Sequence, residues 1–373
     1  MDMLLDDAAI AERILSHIDN QTTDLGDGCW REPVANYRSE ARLDLELDRV
    51  FRRMPVAYCP SVALAERGSY LAREAAGVPL VAVRGADGVV HAFRNACRHR
   101  GMQVACGSGR AASFVCPYHA WAYGLDGGLL NIPHEYGFPG LDKSTHGLVP
   151  VAAEERGGIV FVTQEPDGPG AGALDGIPDL IGPGLQMVSS SETIIEANWK
   201  VFAEGFLEGY HIYPTHRETF FPAQFDNLNL VEHFGRHSRV TYPYRNIQKL
   251  RAVDPALRRV AGRLTHVHHL FPNAIVATFP RRIVMNVLEP IGIAATRSIT
   301  YVVAEPAILT DDRPGLEQDT DFVDRGAAED RAMVESIQRG MASGANEVFE
   351  FGLFEAAIVH LHRNLHALIE DAA

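Results

Sequence analysis

Cys97-Arg98-His99-Arg100-Gly101 and Cys116-Pro117-Tyr118-His119-Ala120-Trp121 start nineteen positions apart, with sixteen residues between His99 and Cys116. Each segment supplies one thiolate and one imidazole. A [2Fe–2S] cluster with two soft thiolates on one iron and two neutral imidazoles on the other needs this donor set from two neighbouring loops. Exchanging two thiolates for neutral rings removes negative charge from the cluster, so its potential rises to roughly −150 to +300 mV. A structural zinc site is the competing reading. It spaces its ligands as Cys-x₂₋₄-Cys followed by His-x₃₋₅-His, which the interleaved Cys-x-His and Cys-x₂-His do not match. Cys106, between the two pairs, reads as a small hydrophobe of the intervening hairpin, like Cys29 and Cys59 elsewhere.

Outward from these loops, residues 55–165 break into short β-rich runs. Val81-Ala82-Val83-Arg84, Val89-Val90-His91-Ala92-Phe93 and Gly158-Ile159-Val160-Phe161-Val162 are punctuated by Gly-Ala-Asp-Gly and Leu-Asp-Gly-Gly turns. This is a small β domain with the ligands on two loops. Residues 88–125 hold Arg94, Arg98, Arg100 and Arg110 and no acidic residue, against a formal charge of −14 for the whole chain. The positive patch reads either as bracing for the loops or as a docking surface for an acidic electron donor.

At 373 residues, two domains are expected, and 46% hydrophobic against 22% charged residues allows a sizeable core. The acidic balance argues against a nucleic-acid partner. Five cysteines without a disulfide framework point to a reducing, cytoplasmic compartment. The start, Met1-Asp2-Met3-Leu4-Leu5, lacks a basic n-region, and no run of eighteen apolar residues occurs, so no membrane span is expected. Residues 8–18 and 40–53 read as short helices, and the Pro/Gly-rich stretch 165–184 as the inter-domain connection.

A second constellation follows Glu196-Ala197-Asn198-Trp199-Lys200. A helix is predicted over Val201 to Ile212, ended by Pro214, with Glu204, Glu208 and His211 along one stripe at i, i+4 and i+7. His216 follows five residues after His211, past the proline. Two histidines and one carboxylate make a facial triad that leaves open positions on Fe(II). Asp330, in Glu329-Asp330-Arg331-Ala332-Met333-Val334-Glu335, is the candidate, with Asp324 the alternative. Either acid could instead be a helix N-terminal charge favoured by the macrodipole. His266, His268 and His269 form a further cluster, read as sheet residues bordering the pocket rather than a second metal site.

In the order and flanks of both motifs, over about residues 40–370, the chain resembles the catalytic α subunit of the Rieske non-heme iron oxygenases, the ring-hydroxylating family. The resemblance implies an α+β architecture: a Rieske β domain (45–165) inserted near the start of a helix-grip, START-like catalytic domain (166–373). That domain has a large antiparallel sheet, on which N-terminal helices (1–44) pack. It implies that Cys97, His99, Cys116 and His119 hold the [2Fe–2S] cluster and that His211, His216 and Asp330 hold the mononuclear Fe(II). Glu208 would be the acid that bridges to the cluster of a neighbouring subunit in a homotrimer, and Glu204 a supporting acid. Ala120 stands where the family usually has Gly, and Glu208 where most members have Asp.

The resemblance further implies a terminal oxygenase that uses O₂ and electrons from a separate NAD(P)H-dependent reductase or ferredoxin. The chain itself has no convincing dinucleotide fingerprint. The substrate class expected first is an aromatic or other cyclic small molecule. Glu208 and the Asp330 stretch resemble instead the oxygenases of quaternary ammonium compounds such as carnitine and choline, the alternative substrate class. Phe202, Phe206, Tyr210 and Tyr213 could wall a cation site. A pure Rieske electron carrier is the rival of another class. It leaves Glu208, His211 and His216 without a purpose.

Overall fold

The computed structural model describes residues 4–166, 170 and 172–370. The chain forms two compact units. One comprises Arg52–Leu174 and Pro178–Pro183, the other the residues up to Phe51, Asp175–Ile177, and Gly184 onward. The first crossing falls after Phe51, later than residue 44, because the helical run Glu40–Glu46 continues through Leu47–Phe51. Its last residue is fully buried and meets Trp199 edge-on, 5.1 Å between ring centres.

The β unit is built on a seven-stranded sheet. Its spatial order is Val56–Pro60, Ile159–Thr163, Pro150–Arg156, Val90–Arg94, Val78–Arg84, Ser69–Ala75 and Gly107–Arg110. A three-stranded sheet of Phe114–Val115, Ala122–Tyr123 and Leu129–Asn131 accompanies it. Val81, Val83, Phe93, Phe114, Trp121 and Tyr123 form one buried cluster that also takes in Cys97 and Cys116. The two loops with the Cys-His motifs are therefore anchored by their own cysteines. Cys59 is buried as expected, but Cys29 and Cys106 are exposed and are not core hydrophobes. Cys106 immediately precedes Gly107–Arg110, a strand exposed along its whole length.

The catalytic unit carries a second seven-stranded sheet, antiparallel between all neighbours. Its order is Gln186–Ile195, Ala295–Ala304, Ile283–Gly292, Ala274–Thr278, Leu264–Leu270, His237–Pro243, Leu230–Phe234. Cross-strand register lines up Val267, Ala277, Val284 and Val302 in one row on one face. Because side chains alternate along a strand, His266 and His268 lie on the opposite face from Val267. They do not border the cavity, contrary to expectation, while Thr265 and Val267 do. Helix Asp7–Asn20, capped by Asp6 accepting from the Ala9 amide, buries Ile10, Ala11, Ile14 and Leu15. Helix Arg313–Met341 runs for 29 residues, so Asp324 and Asp330 lie in its interior and neither is an N-terminal charge.

Asn198-Trp199-Lys200 fastens the N-terminal helices to the catalytic unit. Asn198 caps Trp199–Glu204 by accepting from the Lys200 amide and donates to the Tyr37 carbonyl. Lys200 Nζ meets both oxygens of the fully buried Glu46 at 2.7 and 2.9 Å, and Trp199 Nε1 donates to the same carboxylate at 2.8 Å. Removing one partner of such a buried pair costs about 3–5 kcal/mol.

Candidate functional site

The predicted helix over Val201 to Ile212 is shorter than expected. It covers Trp199–Glu204 and stops at Gly205, and a second turn of helix resumes at Ile212–Thr215. Two glycines, at 205 and 209, are poor helix formers and release the chain between them. The single stripe therefore does not form. Glu204 turns away, accepting from Tyr37 Oη at 2.7 Å and standing 2.9 Å from His362 Nε2, in a buried network apart from the other site residues. Glu208 and His211 stay together in the intervening turn. Tyr242, buried, braces that turn by donating from Oη to the Phe206 and Glu208 carbonyls at 2.9 and 3.0 Å. Burial raises its pKa well above the usual tyrosine range.

His211, His216 and Asp330 converge, each offering a ligand atom within 4.8 Å of the others. His216 Nε2 lies 2.9 Å and His211 Nε2 3.6 Å from Asp330 Oδ1. The long helix reaches this point because Gly326 has no side chain. A Cβ there would run into the ring of Phe220, which itself packs at a tilt on His216, 4.5 Å between ring centres. Four residues on, the same helix face presents Asp330. Asp324 is not part of the group: it points outward, with Arg282 3.9 Å away.

The other ring nitrogens are both taken. His211 Nδ1 meets Glu208 Oε1, and His216 Nδ1 lies 2.8 Å from Glu329 Oε2, which also accepts from Thr219 Oγ1 at 2.5 Å. A carboxylate at Nδ1 keeps the proton there and turns the Nε2 lone pair toward the common point. His216 Nε2, though buried, makes no hydrogen bond. A donor set of two Nε2 nitrogens, each with a carboxylate at the opposite ring nitrogen, and one carboxylate oxygen fits Fe(II). Burial lowers the pKa of His211, but the hydrogen bond and charge of Glu208, with the charge of Asp330, outweigh it and the net shift is upward. Sequence reasoning does not single out Glu329; its adjacency to Asp330 is the one signal it carries.

Glu208, His211, His216 and Asp330 border a cavity of about 450 Å³. Phe202, Phe206, Phe220, Tyr242, Phe279 and Phe322 wall it, over a sheet floor of the valine row and a polar row of Ser191, Thr300 and Asn286. Phe202 and Phe206 fulfil the expectation of an aromatic wall. Tyr210 and Tyr213 point outward instead.

In the β unit the two ligand loops share one backbone design. Cys97 N donates to Met102 O and Gly101 N to Cys97 O, both at 2.8 Å; Cys116 N donates to Trp121 O at 2.9 Å and Ala120 N to Cys116 O at 3.0 Å. Gly101 and Ala120 both take positive φ, +81° and +56°. The thiols of Cys97 and Cys116 are buried and unpaired as disulfides, and His99 Nδ1 and His119 Nδ1 face each other at 3.1 Å. Two imidazole nitrogens turned toward one point, above two buried thiols, suit a shared iron–sulfur cluster. Burial, His119 and Arg100 lower the pKa of His99, favouring the neutral, ligating ring. Of the four arginines, Arg110 pairs with Glu66, while Arg98 donates to the Gly147 carbonyl and Arg100 to Tyr118 Oη.

Two family descriptions match the chain: the ring hydroxylating alpha subunit (catalytic domain) over residues 183–371 and the Rieske [2Fe-2S] domain over residues 54–142. The carnitine monooxygenase oxygenase subunit of Escherichia coli (strain K12) is 29% identical, covering 92% of this chain and 94% of that protein. Chloroplastic choline monooxygenase of Beta vulgaris is 26% identical over 91% of this chain and 77% of its own. The quaternary ammonium Rieske monooxygenase CntA in complex with L-carnitine shares the fold at a TM-score of 0.77, with 23% identity and 99% of each chain covered. Naphthalene 1,2-dioxygenase from Rhodococcus sp. does so at 0.75, with 20% identity and 97% and 98% covered.

Proposed function

The chain belongs to the ring-hydroxylating oxygenase alpha subunits and is a Rieske terminal oxygenase, and from that premise we propose that it monooxygenates a small quaternary ammonium compound. Such an enzyme works with a [2Fe–2S] cluster, a mononuclear iron, O₂ and a separate reductase. When bound, the cluster supplies single electrons and the iron activates O₂. The observation that carries the substrate class is the aromatic wall against the His211, His216, Asp330 group. Ammonium methyl groups rest over ring faces, gaining about 0.5–2 kcal/mol per contact. The acids Glu208 and Asp330 add negative charge beside them. Carnitine and choline monooxygenases are among this chain's relatives, which supports the same reading. The aromatic or cyclic substrate expected first is the second reading, favoured by the valine row of the cavity floor and by the fold shared with naphthalene dioxygenase.

In this reading Cys97, His99, Cys116 and His119 hold the cluster, and His211, His216 and Asp330 hold the iron. Glu208 fixes His211 and would bridge to the cluster of a neighbouring subunit in a cytoplasmic homotrimer, giving electrons a short path, while Glu204 serves the buried Tyr37 and His362 network. Exposed Arg94, Arg98 and Arg100 form the docking face for an acidic reductase, so reduction slows as salt rises. The domains are the N-terminal helices, the Rieske domain and the catalytic domain.

The test is NAD(P)H- and O₂-dependent consumption, with a reductase, of trimethylammonium compounds against naphthalene and benzoate. Oxidation of a trimethylammonium compound, coupled to equimolar O₂ uptake, is the expected result. Turnover of the aromatic compounds alone overturns the substrate class.

A further inference from the structure

Arg282 is the buried cation of the cavity wall, only 3% exposed. It stands just before the strand Ile283–Gly292, in a turn closed by the Phe279 amide donating to the Arg282 carbonyl at 2.8 Å. Its neighbour Arg281 takes the carboxylates within reach, Asp312 at 2.5 Å and Asp319 at 2.9 Å. Arg282 is left with neutral acceptors: Nη1 donates to Thr320 Oγ1 at 2.8 Å and Nη2 to the Asp319 carbonyl at 3.4 Å. The nearest acid, Asp324, lies 3.9 Å from Nη2 with its own side chain 72% exposed, so water screens it. Nε is buried and makes no hydrogen bond.

A guanidinium so placed has lost its hydration without gaining a matched anion, an arrangement that costs stability unless something completes it. Burial lowers its pKa, the same imbalance seen from the proton's side. Nearby, Arg331 also lines the cavity, but it is bound to Glu335 at 2.7 Å. The helix that carries Thr320 beside Arg282 carries Asp330 ten residues on, about 15 Å along its axis. The cavity thus carries Arg282, with the Phe279 ring and the exposed Asp324 beside it, at one end and the His211, His216 and Asp330 group at the other, separated by enough length for an extended small molecule.

We propose that Arg282 anchors a carboxylate of the substrate, so that the cavity takes an organic acid whose far end reaches His211, His216 and Asp330. Combined with the quaternary ammonium reading, on which this assignment of the far end rests, the substrate is a betaine: trimethylammonium among the rings, carboxylate on the planar fork of Arg282. An amino alcohol lacks the second contact.

Calorimetric binding to the oxidised holoenzyme, without reductase, separates the two claims. The probes are 4-(trimethylammonio)butanoate against 4-(trimethylammonio)butan-1-ol, and benzoate against benzyl alcohol. The acid of a pair binds about 10- to 100-fold more tightly than the alcohol. In Arg282→Gln that ratio falls to within about 3-fold of unity, and Arg282→Lys lies between, keeping the charge without the fork. Equal affinities within both pairs in the unmodified protein, or a full acid preference surviving in Arg282→Gln, overturn the inference. If Arg282→Gln does not fold, the ratios of the unmodified protein and of Arg282→Lys still decide. Acid preference confined to benzoate keeps the Arg282 anchor and removes the ammonium reading. Tight binding of both ammonium compounds without preference does the reverse.

Discussion

The two proposed metal-binding regions are built on opposite plans. The cluster loops place four donors within 23 consecutive residues, Cys97 to His119, on two turns with the same hydrogen-bond pattern. The mononuclear site draws its carboxylate from a helix more than a hundred residues beyond its histidines, and each histidine is aimed by a further acid, Glu208 or Glu329. Local backbone geometry makes the first site; packing of a long helix against Phe220 through Gly326 makes the second. The first plan should tolerate damage to the rest of the fold, and the second should not.

The largest expected effect tests their independence. Asp330→Ala removes a proposed iron ligand from the catalytic unit alone. Turnover should fall by at least about 10³-fold, and iron should drop by one atom per chain. The reduced Rieske EPR signal should keep its shape and intensity. Loss of the cluster signal in this variant would mean that the two regions are not separable.

The same contrast explains what could be read in advance. The Cys97 to Trp121 motif lies within one stretch of chain, so its spacing alone conveys the chemistry and the surrounding β strands. The His211 and His216 pair was legible for the same reason. The helix expected through Glu204 was not: Gly205 ends it, and Glu204 turns to Tyr37 and His362, partners 167 and 158 residues away. Strand phase misled at His266 and His268, since alternation tells which residues share a face but not which face meets the cavity. Arg282 depends on tertiary packing throughout and spacing carries no trace of it, while Glu329 is marked only by its adjacency to Asp330.

Acid should separate the regions next. Burial, with smaller contributions from neighbouring charges, holds the imidazoles of His266, His268 and His269 at about 3 in the folded catalytic unit. In the unfolded chain they take protons near 6.5. On acidification the unfolded state therefore binds protons first. The stability these neutral rings allow is complete above pH 6.5 and is lost progressively as the pH falls from about 6.5 toward 3. Guanidinium unfolding followed by near-ultraviolet circular dichroism should show a midpoint that falls steeply between pH 6.5 and 5. In His268→Asn or His269→Asn that slope should be shallower. A slope unchanged in both variants would remove these histidines from the explanation.

Glu329→Gln probes the second plan more gently. The amide keeps the shape and can still contact Thr219, but it no longer holds the proton on His216 Nδ1 by charge. Such supporting acids typically contribute about 10- to 100-fold in metal affinity. Fe(II) titration of the iron-depleted catalytic site should show a loss in that range, with the cluster untouched. An unchanged affinity would leave His216 oriented by packing against Phe220 alone.

The smallest effect lies within the cluster loops and tests whether they are one design used twice. Gly101 and Ala120 hold equivalent places, each closing its loop onto the carbonyl of the first cysteine with positive φ. The left-handed region costs an L-residue about 1–2 kcal/mol, because Cβ crowds the following carbonyl. Glycine avoids that strain but has more freedom to lose from the unfolded chain, which offsets about 0.4–1 kcal/mol. Ala120→Gly should therefore stabilise the β unit by a net of about 0.5–1 kcal/mol. Gly101→Ala should destabilise it by a similar amount, since a Cβ at residue 101 meets nothing within 4 Å and the backbone term stands alone. Equal and opposite shifts in the thermal midpoint, read from bleaching of the cluster, would establish the equivalence of the loops. A neutral Ala120→Gly beside a harmful Gly101→Ala would mean that the second loop has relaxed around its alanine, and that the shared hydrogen-bond pattern conceals two different strains.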